Sequence, residues 1–125
     1  MNLKTKTIQL MLKSAVCNRM KEELCIVLTT TDCQKTVQTI IEAALERELS
    51  ACIQTLPIQS SYKWEGKLHQ DSETLLIFKT QKVCYKKLED LISSLHNYEV
   101  PEVIQLSISE GFSPYLTWLK ESTRC

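Results

Sequence analysis

The side chains that could bind a transition metal are few and widely spaced. The 125-residue chain contains two histidines, His69 and His96, and six cysteines. Imidazole nitrogen and thiolate sulfur are the donors that copper and zinc prefer. Glu102 follows His96 across a polar connector, so these two side chains can converge, and Cys33, water or a group from a neighbouring subunit would complete the set. We therefore hypothesise a metal site formed by His96, Glu102 and Cys33.

Both histidines also have structural interpretations. His96 falls at the predicted end of the second helix, where the negative end of the helix dipole favours a cation. His69 lies among polar residues near a predicted hairpin tip, and we interpret it as a solvated surface residue. The metal-binding and structural interpretations of His96 both stay open at this point.

The cysteine pattern argues against a disulfide framework. None of the six cysteines forms a Cys-x-x-Cys pair, which excludes the zinc-ribbon and thioredoxin signatures. A chain of this length buries enough surface to fold without covalent staples, so we predict reduced thiols in a reducing compartment. Three cysteines lie on predicted apolar faces and are interpreted as small buried hydrophobes: Cys25, Cys52 and Cys84. Cys17 and Cys125 lie near the ends of the chain, and we expect them to be exposed.

Cys33 is the thiol with the most chemical potential. It is predicted in the first turn of the first helix, where the helix dipole lowers a thiol pKa. Nucleophilic catalysis also needs an orienting base, and no neighbouring residue in the sequence provides one. We therefore predict no enzymatic activity and keep Cys33 as a metal contact.

Composition excludes several classes of protein. Lys and Arg together number 15, as do Asp and Glu, so no net charge favours nucleic acid as a partner. The two glycines, Gly66 and Gly111, cannot build a dinucleotide-binding or P-loop motif. No apolar run approaches the roughly 20 residues that a membrane-spanning helix needs. The length and the 43% hydrophobic content fit one globular domain.

The first 21 residues differ from the rest of the chain. They contain five basic residues and no acidic one: Lys4, Lys6, Lys13, Arg19 and Lys21. One interpretation is a flexible tail that never joins the core, and the other is an organellar transit segment. We therefore divide the chain into an N-terminal basic segment, 1–21, and a folded domain, 22–125. We expect a cytoplasmic protein, with organellar import through residues 1–21 as the alternative.

The folded domain alternates strand and helix patterns. Residues 24–29 predict a buried strand, and Thr31 with Gln34 predicts a capping box at the start of an amphipathic helix. Pro57 is predicted on an edge or at a bulge, because it cannot donate to a strand ladder. The remaining predicted elements are strands 52–64 and 75–78, a helix 84–95, a strand 104–108, and a short helix that Ser113 caps and Pro114 opens.

The order βαββαβ followed by a helix is typical of the α+β ferredoxin-like fold, in which two helices cover one face of a four-stranded antiparallel sheet. The predicted hairpin arm is longer than such a sheet needs, and Tyr62 and Trp64 lie at its outer end. Large aromatic side chains on a projecting ribbon, beside a sheet face without helices, indicate burial against other subunits. We therefore predict a homo-oligomer.

Five motifs in order along the chain resemble the CutA divalent-cation tolerance proteins. They are Ser-Ala-Cys-Ile at 50–53, Ser-Tyr-Lys-Trp-Glu-Gly-Lys at 61–67, Ile-Phe-Lys-Thr at 77–80, His-Asn-Tyr-Glu-Val-Pro-Glu at 96–102 and Tyr-Leu-Thr-Trp-Leu at 115–119. The resemblance implies a ferredoxin-like subunit, a tight homotrimer related in architecture to the PII signalling proteins, and a link to copper and other divalent metals.

The chain departs from this family where metal binding is concerned. In members described as binding copper, a Cys at the end of the first strand and a His just before a His-Pro-Tyr motif are ligands. These positions correspond here to Thr29 and Leu95, and Asn97 replaces the Pro of the motif, while Glu102 is kept. We therefore predict weaker metal binding than in relatives that keep the Cys and His, because a hydroxyl is a poor ligand for copper.

The resemblance also suggests ligand contacts in a cleft between subunits, with Thr29, Lys79 and Tyr98 as candidates. Lys79 stands in an otherwise apolar strand and is hypothesised to pair with Glu102 or with an anionic ligand. The alternative is an edge lysine whose ammonium reaches solvent. Three aromatic residues are assigned to the trimer interface: Tyr62, Trp64 and Trp118.

Together these observations predict a protein that binds divalent metal ions, specifically copper, or confers tolerance to them. It is predicted to act as a non-enzymatic homotrimer with Cu(II) or another divalent cation bound. The alternative is a PII-like signalling protein that binds a small anionic ligand in the cleft between subunits. Neither nucleic acid nor a membrane span is expected.

Overall fold

The computed structural model describes residues 23–125. Its elements follow the predicted order: β1 (Leu24–Thr31), α1 (Gln34–Glu46), β2 (Cys52–Trp64), β3 (Lys67–Gln81), α2 (Tyr85–Leu95), β4 (Val103–Ser107) and α3 (Ser113–Glu121). A short 3-10 turn, Lys82–Cys84, joins β3 to α2. The basic segment 1–21 lies outside the described residues, so its two interpretations stay predictions.

The four strands of residues 23–125 form one sheet in the order β2-β3-β1-β4, with every neighbouring pair antiparallel. This is the ferredoxin-like α+β arrangement that the sequence predicts. Pro57 lies on β2, an outer strand, also as predicted. The hairpin of β2 and β3 keeps an unbroken register from Cys52 opposite Lys79 to Trp64 opposite Lys67.

A two-residue turn closes that hairpin. Glu65 and Gly66 both have positive φ angles, 50° and 77°. This is the pattern of a type I′ turn, whose twist matches that of the flanking strands. Glycine adopts such a φ without steric cost, whereas Glu65 is an uncommon residue there.

The main core lies between the sheet and the helices α1 and α2. Cys25 and Val27 of β1 are fully buried there, as are Leu76 and Phe78, their close neighbours on β3. They pack against a shared set of helical residues: Val37, Ile40, Ala44, Leu88, Leu91 and Ile92. Since successive strand residues point to opposite faces, the alternate residues of β1 and β3 face away from these helices.

The opposite face, which we call the open face, is covered only at one end within residues 23–125. There α3 packs Leu116 and Leu119 against Leu24 of β1 in a second, smaller cluster. Further along, β2 and β4 present apolar side chains to solvent: Leu56 is 42% exposed, Ile104 45% and Leu106 50%. The three helices of residues 23–125 therefore leave much of this apolar face unburied.

A disulfide corrects the prediction that the cysteines are reduced. Cys84, at the end of the 3-10 turn, is bonded to Cys125, and their Cα atoms are 5.3 Å apart. Cys25 is a free buried thiol, as predicted, whereas Cys33 and Cys52 are free and half-buried. The pairing joins residues 41 positions apart, so it depends on the chain returning to α2 and leaves no local signal in the sequence.

Two predicted helix starts are also corrected. Thr31 stays in β1, and the residue that caps α1 is Cys33, without a side-chain capping bond. The Thr31 hydroxyl instead accepts a hydrogen bond from the Cys33 amide at 3.2 Å. At α3 the capping residue is Phe112, so Ser113 already belongs to the helix. Over residues 23–125, no helix has the length and apolar character needed to cross a membrane.

Candidate functional site

An acidic cleft of about 600 Å³ lies at the end of β1, on the side of the open face. The residues that line it come from the end of β1, the middle of the hairpin and the connector between α2 and β4: Thr30, Asp32, Tyr62, Asp71, Glu73, Tyr98, Val100 and Glu102. Four of these residues are carboxylates, and none of the described lining residues is Lys, Arg or His. We call this surface the acidic cleft.

Register explains why the hairpin contributes three of the lining residues. Tyr62 of β2 pairs with His69 of β3, and Asp71 and Glu73 follow at two-residue intervals along β3. Residues two apart on a strand share a face, so these side chains stand on the same side of the sheet. The Tyr62 ring stacks on His69 with the ring centres 5.5 Å apart, which places His69 on the arm beside the cleft.

Neutral donors satisfy three of the four carboxylates. The Tyr98 hydroxyl donates to Glu73 Oε2 at 2.6 Å, and the Tyr62 hydroxyl donates to Asp71 Oδ2 at 2.5 Å. Burial and the hydrogen bond to Glu73 raise the pKa of Tyr98 well above its usual value. The hydrogen bond to Asp71 likewise raises the pKa of Tyr62. Both phenols therefore stay protonated and act as neutral hydrogen-bond donors.

Glu102 and Asp32 complete the negative charge of the cleft. Asp32 Oδ1 accepts a hydrogen bond from the Asn97 amide at 2.8 Å. Glu102 is exposed, and no residue within 23–125 hydrogen-bonds or ion-pairs with its carboxylate. Glu102 is therefore the carboxylate most available to an incoming cation.

His96 anchors the connector to β1 rather than pointing freely into the cleft. Its Nδ1 accepts a hydrogen bond from the Tyr98 amide at 3.0 Å. Its Nε2 lies 2.9 Å from the Thr30 carbonyl oxygen, which assigns the ring proton to Nε2. His96 also follows the last residue of α2 as its cap. Both ring nitrogens are thus engaged, and a metal would have to displace one of these bonds.

Cys33 lies just beyond the end of β1, but it is not among the residues that line the cleft. A hydrogen bond with Thr36 lowers the pKa of the Cys33 thiol, with backbone bonds at the start of α1 assisting. The direction of this pKa shift agrees with the sequence-based prediction, which gives the helix dipole as its cause. Within residues 23–125, no group of three or more His, Cys, Asp or Glu side chains is close enough to hold a metal ion. His96, Glu102 and Cys33 are therefore near one end of the sheet but not assembled as ligands.

The other candidate residues are spread over the molecule. Thr29 is fully buried on the helix-covered side, and its hydroxyl has no hydrogen-bond partner among the described residues. Lys79 lies under α3, with its ammonium 3.4 Å from the Tyr115 hydroxyl and 5.4 Å from that ring centre. Trp118 packs beside the cluster that joins α3 to β1. Of the three cleft candidates, only Tyr98 lines the acidic cleft.

Three carboxylates of the cleft have no place among the candidate residues predicted from the sequence: Asp32, Asp71 and Glu73. The predicted strand 75–78 is much shorter than β3, which starts at Lys67. Asp71 and Glu73 are two residues apart, and the same spacing continues into the apolar residues that follow. This alternation would have placed both carboxylates on the open face.

The comparison with known families finds one match that covers most of the chain. Residues 25–122 match the family described as CutA1 divalent ion tolerance protein. The divalent-cation tolerance protein CutA of Thermus thermophilus is 39% identical over 99 residues, which is 78% of this chain and 96% of that protein. Human protein CutA is 42% identical over 91 residues, 72% of this chain. This chain spans about half of the human protein, 51% of its length.

Solved structures give the same result. The crystal structure of CutA1 from Oryza sativa superposes with a TM-score of 0.79 at 37% identity, covering 84% of this chain and 97% of that one. The Cut A1 structure from Thermus thermophilus gives a TM-score of 0.77 at 38% identity, covering 81% of this chain and 99% of that one. The described fold is thus similar to both over nearly their whole length.

Proposed function

The chain belongs to the CutA1 divalent ion tolerance family, and on this premise we propose that it acts in divalent-cation tolerance as a non-enzymatic homotrimer. In this proposal the acidic cleft binds the cation, Cu(II) included. The observation that carries it is the cleft itself, where four carboxylates surround about 600 Å³ and no described lining residue supplies a positive charge.

The donor set favours loose binding of a hard cation. Carboxylate oxygens bind Mg²⁺, Ca²⁺ and Mn²⁺ with water in the rest of the shell, whereas Cu(II) prefers nitrogen and sulfur. Glu102 is the first ligand in this proposal, because its carboxylate is exposed and unengaged within residues 23–125. His96 and Cys33 are the softer donors nearby, and Cu(II) recruits them only by breaking the bonds that His96 makes with Thr30 and Tyr98.

Assembly is the second half of the proposal. The open face exposes apolar side chains of β2 and β4, and Trp64 on the arm is 63% exposed. Burial of such a patch between subunits is the usual outcome for an apolar surface of this kind. The number three comes from the family resemblance, and in a trimer a neighbouring subunit can supply the ligands that one subunit lacks.

A catalytic role is not proposed. Cys33 is the free thiol with a lowered pKa, and its partner is the Thr36 hydroxyl rather than an imidazole. The two ring nitrogens of His96 are occupied, and His69 stacks on Tyr62. The PII-like alternative, in which the cleft binds a small anion, is disfavoured by the negative charge of that cleft.

For the location of the protein we propose the cytoplasm, with residues 1–21 as a tail. Relatives differ in this respect, since the Arabidopsis protein 40% identical over 100 residues is named chloroplastic. Residues 1–21 fused to a fluorescent protein should leave it cytoplasmic. Import of the fusion into an organelle would establish the transit-segment alternative instead.

Calorimetric titration of the purified protein with Cu(II) and Mn(II) tests the cation proposal. Wild type should bind weakly, and Glu102→Gln should lower the affinity on the order of 10–100-fold, at least as much as losing an outer-shell partner. Glu42→Gln, on the exposed side of α1, is the matched control and should bind as wild type does.

Three further results are informative. If His96→Ala and Cys33→Ser weaken Cu(II) binding but not Mn(II) binding, the softer donors serve copper as proposed. Equal affinities for Glu102→Gln and Glu42→Gln would place the cation elsewhere. Absence of heat with either ion would mean that the acidic cleft does not bind cations.

A further inference from the structure

The last described residues are fastened to the body of the domain by several polar contacts. The Arg124 amide donates to the Glu48 carbonyl at 2.9 Å, and Arg124 Nε lies 3.0 Å from Glu48 Oε2. The Gln81 side-chain amide donates to the Thr123 hydroxyl at 2.7 Å and to the Thr123 carbonyl at 3.3 Å. We call residues 122–125, held in this way, the C-terminal clasp.

A covalent bond adds to these contacts. Cys125 of the clasp is bonded to Cys84, which is fully buried where the 3-10 turn meets α2. Cys125 itself is exposed. A reductant in solution can therefore reach the Cys125 sulfur, whereas the Cys84 sulfur is buried in the domain.

The polar contacts alone hold the clasp weakly. The side chains of the Arg124–Glu48 pair are 80% and 50% exposed, and exposed ion pairs of this kind contribute little to stability. The contacts of Thr123 are partly buried, but they involve neutral groups. Cys125 itself is held by the disulfide and by a hydrogen bond from the exposed Lys87 ammonium to its carbonyl.

We propose that Cys84 and Cys125 form a redox site that locks the C-terminal clasp when oxidised and releases it when reduced by a dithiol. A thiolate of the dithiol attacks the Cys125 sulfur, so a mixed disulfide forms and Cys84 leaves as a thiolate that takes up a proton. The second thiol of the dithiol, as its thiolate, then attacks the mixed disulfide and releases Cys125. In total two electrons and two protons pass to the protein, and the dithiol becomes a disulfide.

Release of the clasp changes a neighbouring cavity. This cavity of about 500 Å³ lies between the end of α1 and α2, and Arg124 of the clasp forms part of its wall. Lys87, another lining residue, donates to the Cys125 carbonyl at 2.8 Å. Reduction therefore removes Arg124 from the wall and frees the Lys87 ammonium, so the redox state decides which basic side chains this cavity presents.

The test combines peptide mapping with hydrogen exchange on the full chain. Air-oxidised protein, digested without reductant, should yield a peptide containing Cys84 linked to one containing Cys125. The Arg124 amide, which donates to Glu48, should exchange slowly in this form. Dithiothreitol, under native conditions, should accelerate its exchange at least tenfold. Cys125→Ser should match the reduced wild type without reductant, and the control Cys52→Ser should behave as wild type.

Several results would overturn the proposal. One is alkylation of both Cys84 and Cys125 in the air-oxidised protein. Another is a linked peptide whose reduction leaves Arg124 exchange unchanged, since the clasp would then be held by its polar contacts. A third is a bond that dithiothreitol opens only in denaturant, which would make it a permanent staple. Cys125→Ser is chosen over a substitution of Cys84 because residue 125 is exposed, whereas Cys84 is fully buried.

Discussion

The two faces of the sheet are built from the same strands but finished differently. On the helix-covered face, Leu76 and Phe78 of β3 are fully buried. On the open face, Leu56 of β2 and Leu106 of β4 are 42% and 50% exposed. β1 is apolar on both sides, which is typical of strands buried on both faces. The difference teaches that residues 23–125 cover one face with helices and leave much of the other apolar, which is the surface that the proposed assembly would bury.

The largest effect should follow truncation on the covered face. Phe78→Ala removes a fully buried ring from the main core, and we expect a loss of about 3–5 kcal/mol in the free energy of unfolding. Urea unfolding measures this. The matched variant on the open face is Leu56→Ala, which should cost much less in dilute, dissociated protein. Equal costs for the two variants would erase the distinction between the faces.

Charge on the open face should abolish assembly while leaving the subunit folded. Leu106→Lys places an ammonium in the proposed interface, and burying it without a partner is costly. Light scattering should show a fall from trimer to monomer mass. The control is Gln105→Lys, one residue earlier on the other side of β4. Trp64→Ala should weaken assembly less completely. A wild-type protein that is monomeric at micromolar concentration would refute the trimer.

Alkaline pH should lower the free energy of unfolding, because it ionises the Cys25 thiol on the helix-covered face. Burial raises the pKa of the Cys25 thiol from 9.0 to about 11. Because the unfolded thiol ionises first, the stabilisation is complete below pH 9 and is lost as the pH rises from about 9 to about 11. Urea unfolding across this range should show the decline, and Cys25→Val should flatten it. An equally steep decline in Cys25→Val would assign it to other groups.

Replacing the unpaired hydroxyl on the helix-covered face should have a smaller effect on the free energy of unfolding. Thr29 is fully buried with no partner for its Oγ1 among the described residues, whereas Thr31, two residues on, bonds to Asn97 and the Cys33 amide. Thr29→Val should therefore stabilise the protein by about 1 kcal/mol, and Thr31→Val should destabilise it by a similar amount. Chemical denaturation of both variants decides the matter. Destabilisation by Thr29→Val would mean that the hydroxyl has an unseen partner such as water.

The smallest effect should follow deletion of residues 1–21. Both clusters of buried apolar residues are formed within residues 24–119, so we expect the melting temperature to change by less than about 5 °C, which is on the order of 1 kcal/mol for a domain of this size. Calorimetry of the truncated protein provides the measurement. A larger fall would place the segment against one of the two faces.

The sequence predicts the fold well because apolar periodicity is a local property. Helix α1 and strand β4 both form where the apolar periodicity predicts them. The predicted half-burial of β4 is not seen within residues 23–125, where Ile104 and Leu106 are 45% and 50% exposed. The capping box fails because pairing of Thr31 with Thr74 extends β1 past its apolar run. The first part of β3 is missed because its residues are polar, and Asp71 and Glu73 of the acidic cleft are missed with it. The Cys84–Cys125 bond depends on tertiary proximity, which spacing does not encode.

Pro57 has a consequence for how the long outer strand meets other chains. In a two-residue hairpin the closing pair is hydrogen-bonded and the pairs then alternate, so the unbroken register puts Pro57 in a non-hydrogen-bonded pair with Thr74. A residue in such a pair directs its amide away from β3, and proline has no amide proton to direct. The outer edge of β2 therefore lacks a backbone N–H donor near its middle. A strand from another chain cannot form an uninterrupted hydrogen-bond ladder along this edge. Pro57 in this way disfavours edge-to-edge aggregation through the hairpin arm.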